Sequence, residues 1–151
     1  MTHHPDNPWL DRFRTPTADA LIEAVPEERA TVLAELRAAL TGAHGREETV
    51  EWRGEPCRWC LCYTCRGQQA DACPPWVIVP NPEKPVFLTG LRQASLAALS
   101  EKKLGRGVRE CLTAGRVVGP RVWVEWPCEP GSASRELLDH LEVIVEGSRR
   151  G

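Results

Sequence analysis

The chain has 151 residues, 42% hydrophobic and 26% charged, with a formal net charge of −2. That is enough apolar material for one core and one domain. The near-neutral balance excludes long-range attraction for nucleic acid or anionic lipid, and no apolar run approaches the roughly 20 residues that cross a bilayer.

The N-terminus, Met1-Thr2-His3-His4-Pro5-Asp6, lacks the basic start and apolar stretch of a secretion signal, so the expected compartment is the cytoplasm, where thiols stay reduced. Seven cysteines is an odd count, in keeping with free thiols. His3 and His4 sit on a terminus, where order is weak, and make a poor metal tip.

Residues 1–14 read as an arm whose Trp9, Leu10 and Phe13 dock on the body. Residues 15–147 form a single α+β domain, and 148–151 a solvated tail. Thr15-Pro16 reads as a helix cap followed by proline at the first helical position. Leu21, Ile22 and Val25 supply that helix's apolar face. Pro26 ends it and opens the next, over Glu27 to Leu40, where Val32, Leu33, Leu36, Ala39 and Leu40 recur at helical spacing. Gly42 is the natural stop.

The period then switches to two. Thr49 to Arg53 alternates, with Val50 and Trp52 on one face. Arg58 to Cys65 alternates as well, with Trp59, Leu61, Tyr63 and Cys65 facing together. Arg66-Gly67-Gln68-Gln69 reads as a two-residue hairpin, which sets Cys62 opposite Cys73. Pro74-Pro75 interrupts pairing before Trp76-Val77-Ile78-Val79. Residues 80–85, rich in proline, make a rigid turn into a strand at Val86 to Leu88. Helices return after Gly90, over Leu91 to Leu99 and from Ser100 to about Ala114. Val117 to Trp126 is a fifth strand, apolar on both faces and so central or covered. Ser132 to Gly147 is a closing amphipathic helix. The order implies a two-layer α+β fold: a mostly antiparallel sheet of about five strands, packed by N-terminal, central and C-terminal helices.

Cys57, Cys60, Cys62 and Cys65 spell C-x2-C-x-C-x2-C, which invites a zinc or redox reading. Zinc knuckles are normally separated by a long stretch, so that four sulfurs can converge. On a strand, at about 3.3 Å per residue, Cys57 and Cys65 lie roughly 26 Å apart, and Cys60 and Cys62 point away from them. Buried, inert thiols are the better reading. The alternative is a zinc or thiol-redox centre built on Cys57, Cys60, Cys62, Cys65 and Cys73. C-x2-C in redox proteins opens a helix after a strand, and no convincing helix follows here.

No catalytic signature stands out. His44 and His140 have no identifiable serine or cysteine partner for a triad. Lys102, Lys103, Arg106, Arg109, Arg116 and Arg121 are interrupted by Glu101 and Glu110 and read as a solvated helix face. Trp52, Trp59 and Trp123, with Glu125 beside Trp123, are the candidate ligand-binding residues. Aromatic faces stack planar ligands, and a carboxylate beside indole suits a cation.

The landmarks Trp52-x-Gly54, Trp59-x-Leu61-x-Tyr63, Val77 to Pro82, Gly119 and Trp123-Val124-Glu125-Trp126 resemble those of the bacterial domain of unknown function numbered 3788. The resemblance covers roughly residues 8 to 146. It implies a small α+β fold related to the domains called YdhG-like, and no established activity, cofactor or catalytic residue. The double proline and the cysteine load are departures from it. The expectation is a non-enzymatic accessory module, without cofactor, that binds a small molecule or a protein partner in an aromatic-lined concavity, and neither nucleic acid nor membrane.

Overall fold

The chain enters its fold through side-chain caps. In the computed structural model, which describes residues 7–43, 45–64, 76–92, 96–97, 105–130 and 140, the Asn7 side chain accepts the Trp9 N–H at 3.2 Å and starts a 3-10 turn, Pro8–Leu10. Thr17 caps α1 (Ala18–Glu23), its hydroxyl accepting the Ala20 N–H at 3.1 Å. The cap expected at Thr15 is therefore displaced to Thr17, and Pro16 precedes the helix instead of beginning it. Pro26 stands at the head of α2 (Glu27–Ala38), its carbonyl accepting the Ala30 N–H at 2.8 Å. The helix widens into a π-turn over Ala39–Ala43, so Gly42 lies inside the turn and is not its stop. Leu21, Leu33, Leu36 and Leu40 are buried, as their spacing requires.

One antiparallel sheet of six strands holds the rest, in the order β1-β2-β3-β4-β6-β5. The strands are β1 (Glu47–Trp52), β2 (Trp59–Thr64), β3 (Trp76–Val79), β4 (Val86–Arg92), β5 (Arg116–Val118) and β6 (Arg121–Pro127). β1 alternates as expected: Glu48, Val50 and Trp52 face inward, Glu47, Thr49 and Glu51 outward. β2 and β3 are buried on both faces. The α+β class and the antiparallel sheet are those expected, with six strands in place of about five.

Three differences have clear causes. The fifth strand is two strands. Gly119, at φ +62°, and Pro120 close a two-residue hairpin in which Val118 pairs with Arg121. Glycine first and proline second suit a type II′ turn. The short β5 lies at the sheet edge, so Val117 and Val118 are 75% and 59% exposed rather than covered. The fourth strand runs on to Arg92 through Gly90, and Leu91 is a core strand residue, not the start of a helix. Finally, Cys62 pairs with Val77 and not with Cys73. A two-residue turn at Gly67-Gln68 would set Cys62 opposite Cys73, which the observed register excludes; residues 65–75, Cys73 among them, lie outside the described residues.

Cross-strand partners point to the same side of a sheet. Glu48, Tyr63, Trp76, Phe87 and Trp126 accordingly share one face. α1 and α2 cover it. Arg37 of α2 forks onto Glu48 at 2.7 and 2.9 Å and reaches Asp19 of α1 at 2.6 Å. The Tyr63 hydroxyl donates to Glu48 at 2.8 Å. The pairing with Glu48 holds Arg37 far above its ordinary pKa, so its charge is permanent. α3 (Arg106–Thr113) lies over the opposite face, beside Trp123 and Glu125. Its N-cap is Gly105, so that glycine sits at a terminus, where its backbone freedom does little harm. Gly115 closes the helix, its N–H donating to the Leu112 carbonyl at 3.2 Å. The closing helix expected over 132–147 lies outside the described residues except at His140, which is helical.

Candidate functional site

The four tryptophan-centred candidates fall into two places. Trp52 and Trp59 are cross-strand partners at the β1–β2 end and meet edge to face, ring centres 5.5 Å apart. Trp59 is buried, and its Nε1–H donates to the Asp11 carbonyl at 2.7 Å. Trp9 answers from the arm, its Nε1–H donating to the Cys57 carbonyl at 3.0 Å. These indoles clamp the N-terminal arm onto the sheet. Trp123 and Glu125 are far along the sheet on β6, and their side chains lie on its other face.

There they border a cavity of about 880 Å³. Its floor is Val86 and Leu88 of β4 with Trp123, Glu125 and Pro127 of β6. Its wall is α3, through Gly107, Glu110, Cys111 and Ala114. Arg116 borders one end and Lys84 the other. Arg116 is the cross-strand partner of Trp123, and Val86 pairs with Pro127 near Lys84. The volume falls in the range of ligand pockets, about 300–1,000 Å³.

Gly90 explains the shape of the floor. It is opposite Trp123 in the ladder, and a Cβ built there would stand 2.9 Å from the indole Cζ2. The six-membered ring of Trp123 therefore lies across the β4 backbone at Gly90, occupying the place of a side chain. An ordinary residue would push the ring outward into the cavity. Gly90, expected to lie between a strand ending at Leu88 and the return of helices, is inside β4. Its real signal, a glycine inside an alternating apolar run, marks a close approach.

Of the lining carboxylates, Glu129 pairs with Arg29 at 2.8 Å and Glu110 with Arg106 at 2.9 Å. Glu125, Arg116 and Lys84 make no ion pair among the described residues. Cys111 is half-buried; burial, then the charges of Glu110 and Glu125, push its thiol up. A neutral thiol is a weak nucleophile, so Cys111 is not an activated sulfur.

The cysteine-rich segment is only partly a strand. Cys57 lies in the turn between β1 and β2, where Gly54 and Arg58 take φ +76° and +59°. The roughly 26 Å separation expected for Cys57 and Cys65 assumed extended backbone at Cys57, and that backbone is turned. Cys60 and Cys62 do share a face of β2 and are fully buried. Burial, with Cys57 and Cys62 nearby, pushes the Cys60 thiol up to about 12. Burial, with Glu51 next, pushes Cys62 up to about 11. The Cys60 Sγ points to the Cys57 and Arg58 carbonyls at 3.6 and 3.7 Å. Cys65 and Cys73 lie outside the described residues. Among the described residues no three metal-ligating side chains converge, and no helix is long and apolar enough to cross a membrane.

No family model, no curated protein and no solved structure matches this chain, so the likeness to the domain numbered 3788 rests on its aromatic and glycine landmarks alone.

Proposed function

We propose that this protein is a small-molecule-binding module whose ligand occupies the cavity between α3 and the β4–β6–β5 face. One observation carries the reading: the Trp123 indole is laid over Gly90 at the floor of a largely apolar cavity, where Glu125, Arg116 and Lys84 make no ion pair among the described residues. Apolar pockets with a few polar groups are the usual form of a ligand site. Binding without catalysis fits the Cys111 thiol, which burial keeps protonated. Trp52 and Trp59 drop out of the ligand set, because their surfaces are spent on each other and on the arm. A cytoplasmic setting and membership of the domain family numbered 3788 belong to the same proposal. The free thiols of Cys57, Cys60, Cys62, Cys111 and Cys128 support the first, the aromatic landmarks the second.

The test is a melting-temperature screen with aromatic and aliphatic compounds carrying one or two charges. A ligand at about 100 times its Kd adds about 2.7 kcal/mol, a clear upward shift. Trp123→Ala abolishes the shift and Trp52→Ala preserves it. A screen without any stabiliser, or a stabiliser equally effective on Trp123→Ala, removes the reading. The alternative zinc or redox centre on Cys57, Cys60, Cys62, Cys65 and Cys73 has the raised thiols of Cys60 and Cys62 against it. Stoichiometric zinc in protein purified without chelators would restore it.

A further inference from the structure

The charges around the cavity are not equivalent. Glu110 and Glu129 already have arginine partners. Glu125 and Arg116 have none among the described residues, nor do they pair with each other. Both project from the same face of the sheet. Arg116 is directly across from Trp123, and Glu125 is two residues along β6. Strand geometry puts Arg116 about 5 Å from Trp123 at Cα and Glu125 about 6.8 Å from it, at right angles. The indole thus sits at the corner between a cation and an anion whose Cα atoms are about 8 Å apart. Leu88 lies directly across from Glu125, and apolar Val86 and Pro127 continue the floor beyond it.

We infer that the ligand is an apolar zwitterion of dipeptide span, with its carboxylate on Arg116, its ammonium on Glu125 and its apolar body over Trp123 and Leu88. The inference rests on the cavity being a ligand site, as proposed above. Two residues of extended chain span about 7 Å, close to the roughly 8 Å between the Cα atoms that carry the two charged side chains. Arg116 is the carboxylate partner in preference to Lys84. Its planar fork accepts a carboxylate in two parallel bonds, and it flanks the indole. Lys84 lies at the far end, beside Val86. The ammonium is drawn to Glu125 both by its charge and by the ring beside it.

The experiment uses leucyl-phenylalanine in four forms: free, N-acetylated, C-amidated and doubly blocked, each titrated calorimetrically into the full chain. Removing either charge weakens binding about tenfold, the low end for a charge-assisted hydrogen bond. In Glu125→Gln the free and acetylated forms bind alike. In Arg116→Gln the free and amidated forms bind alike. Lys84→Gln leaves both differences in place. Melting curves check that these exposed substitutions leave the fold intact. If the doubly blocked form binds as tightly as the free one, or if the charge effects survive both substitutions, the zwitterion is wrong. Should that blocked form still slow alkylation of Cys111, the cavity remains a ligand site and only the charge assignment falls. Binding by none of the four forms also overturns the zwitterion, and leaves the cavity to be judged by the Trp123 screen.

Discussion

Trp76 and Trp123 belong to one sheet and live in opposite circumstances. Trp76 on β3 is fully buried. Phe87 meets it edge-on at 5.8 Å, and the Arg46 guanidinium sits 3.7 Å above its ring. Trp123 on β6 is half-buried and borders open volume. The carboxylates divide the same way. Glu48 accepts from Arg37 and from Tyr63, whereas Glu125 accepts from nothing among the described residues. One region uses its aromatic and ionic groups to hold itself together. The other leaves them facing a cavity. Residue type does not separate a structural indole from a binding one; what covers it does.

Truncating the two indoles breaks the comparison most directly. Trp76→Ala opens a large void and strips Arg46 of its ring, so a loss of about 3–5 kcal/mol is expected in denaturant unfolding. Trp123→Ala is expected to cost less, about 2 kcal/mol, because the indole is only partly buried. Equal losses would erase the distinction between the two regions.

Tyr63→Phe comes next. Its hydroxyl serves Glu48, and a hydrogen bond to a charged group contributes about 1.5–3 kcal/mol. Arg37 still satisfies both Glu48 oxygens in the variant, so the loss falls toward the lower figure. Glu125→Gln, at a carboxylate with no ion-pair partner among the described residues, changes unfolding by less than about 0.5 kcal/mol. A Tyr63→Phe variant as stable as the parent would show that the Glu48 network holds nothing.

Gly90→Ala joins backbone to cavity. The new methyl meets the Trp123 ring and forces it outward, which costs about 1–3 kcal/mol. Lower entropy in the unfolded chain returns about 0.4–1 kcal/mol, leaving a net loss of about 0–2.6 kcal/mol. Tryptophan fluorescence and ligand affinity change with it. Unchanged affinity in a stable variant would mean that the ring position does not shape the site.

The buried thiols sharpen the contrast through pH. A thiol is neutral when protonated, and burial favours that form. The folded chain therefore keeps the proton on Cys60 and Cys128 up to about 12, and on Cys62 up to about 11, from an ordinary value of 9.0. The unfolded chain gives up those protons above pH 9. Their contribution is fully present below pH 9 and is lost as pH rises toward 12. Each thiol steepens the decline by at most about 1.4 kcal/mol per pH unit. Cys60→Val removes one such step, so its stability falls less steeply than the parent's between pH 9 and 11. The same slope in both proteins would place Cys60 in contact with water. Alkylation at pH 8 should find Cys111, half-buried at the cavity, before Cys60 or Cys62.

Much of the frame was readable in advance, for local reasons. The alternation in β1, the proline-bounded turn before β4 and the leucine spacing of α2 each carry a period or a fixed φ that few alternatives share. The errors arose where one residue type has two uses. Gly90 reads as a boundary, but it is the seat of an indole, and that role depends on a residue more than thirty positions later in the chain. Gly119-Pro120 is a turn hidden inside an apolar run, so two strands looked like one. The site was half legible for the same reason. Trp123 and Glu125 could be paired by their spacing on one strand. Separating them from Trp52 and Trp59 required the strand order, which no local pattern encodes.

The smallest effect tests the edge of the open region. Val117 and Val118 are 75% and 59% exposed, on opposite faces of a three-residue strand. Threonine keeps the β-branched shape and the strand preference, and exchanges apolar surface for a hydroxyl in water. Val117→Thr and Val118→Thr should each lie within about 0.5 kcal/mol of the parent in unfolding experiments. Short edge strands are a common protection against pairing with another chain, because they expose few free backbone groups. In the hairpin register only Val117 among the three turns its N–H and C=O outward. A loss above about 1 kcal/mol in either variant would mean that this edge is covered in solution. Arg116, on the same strand and at the mouth of the cavity, would then be screened along with it.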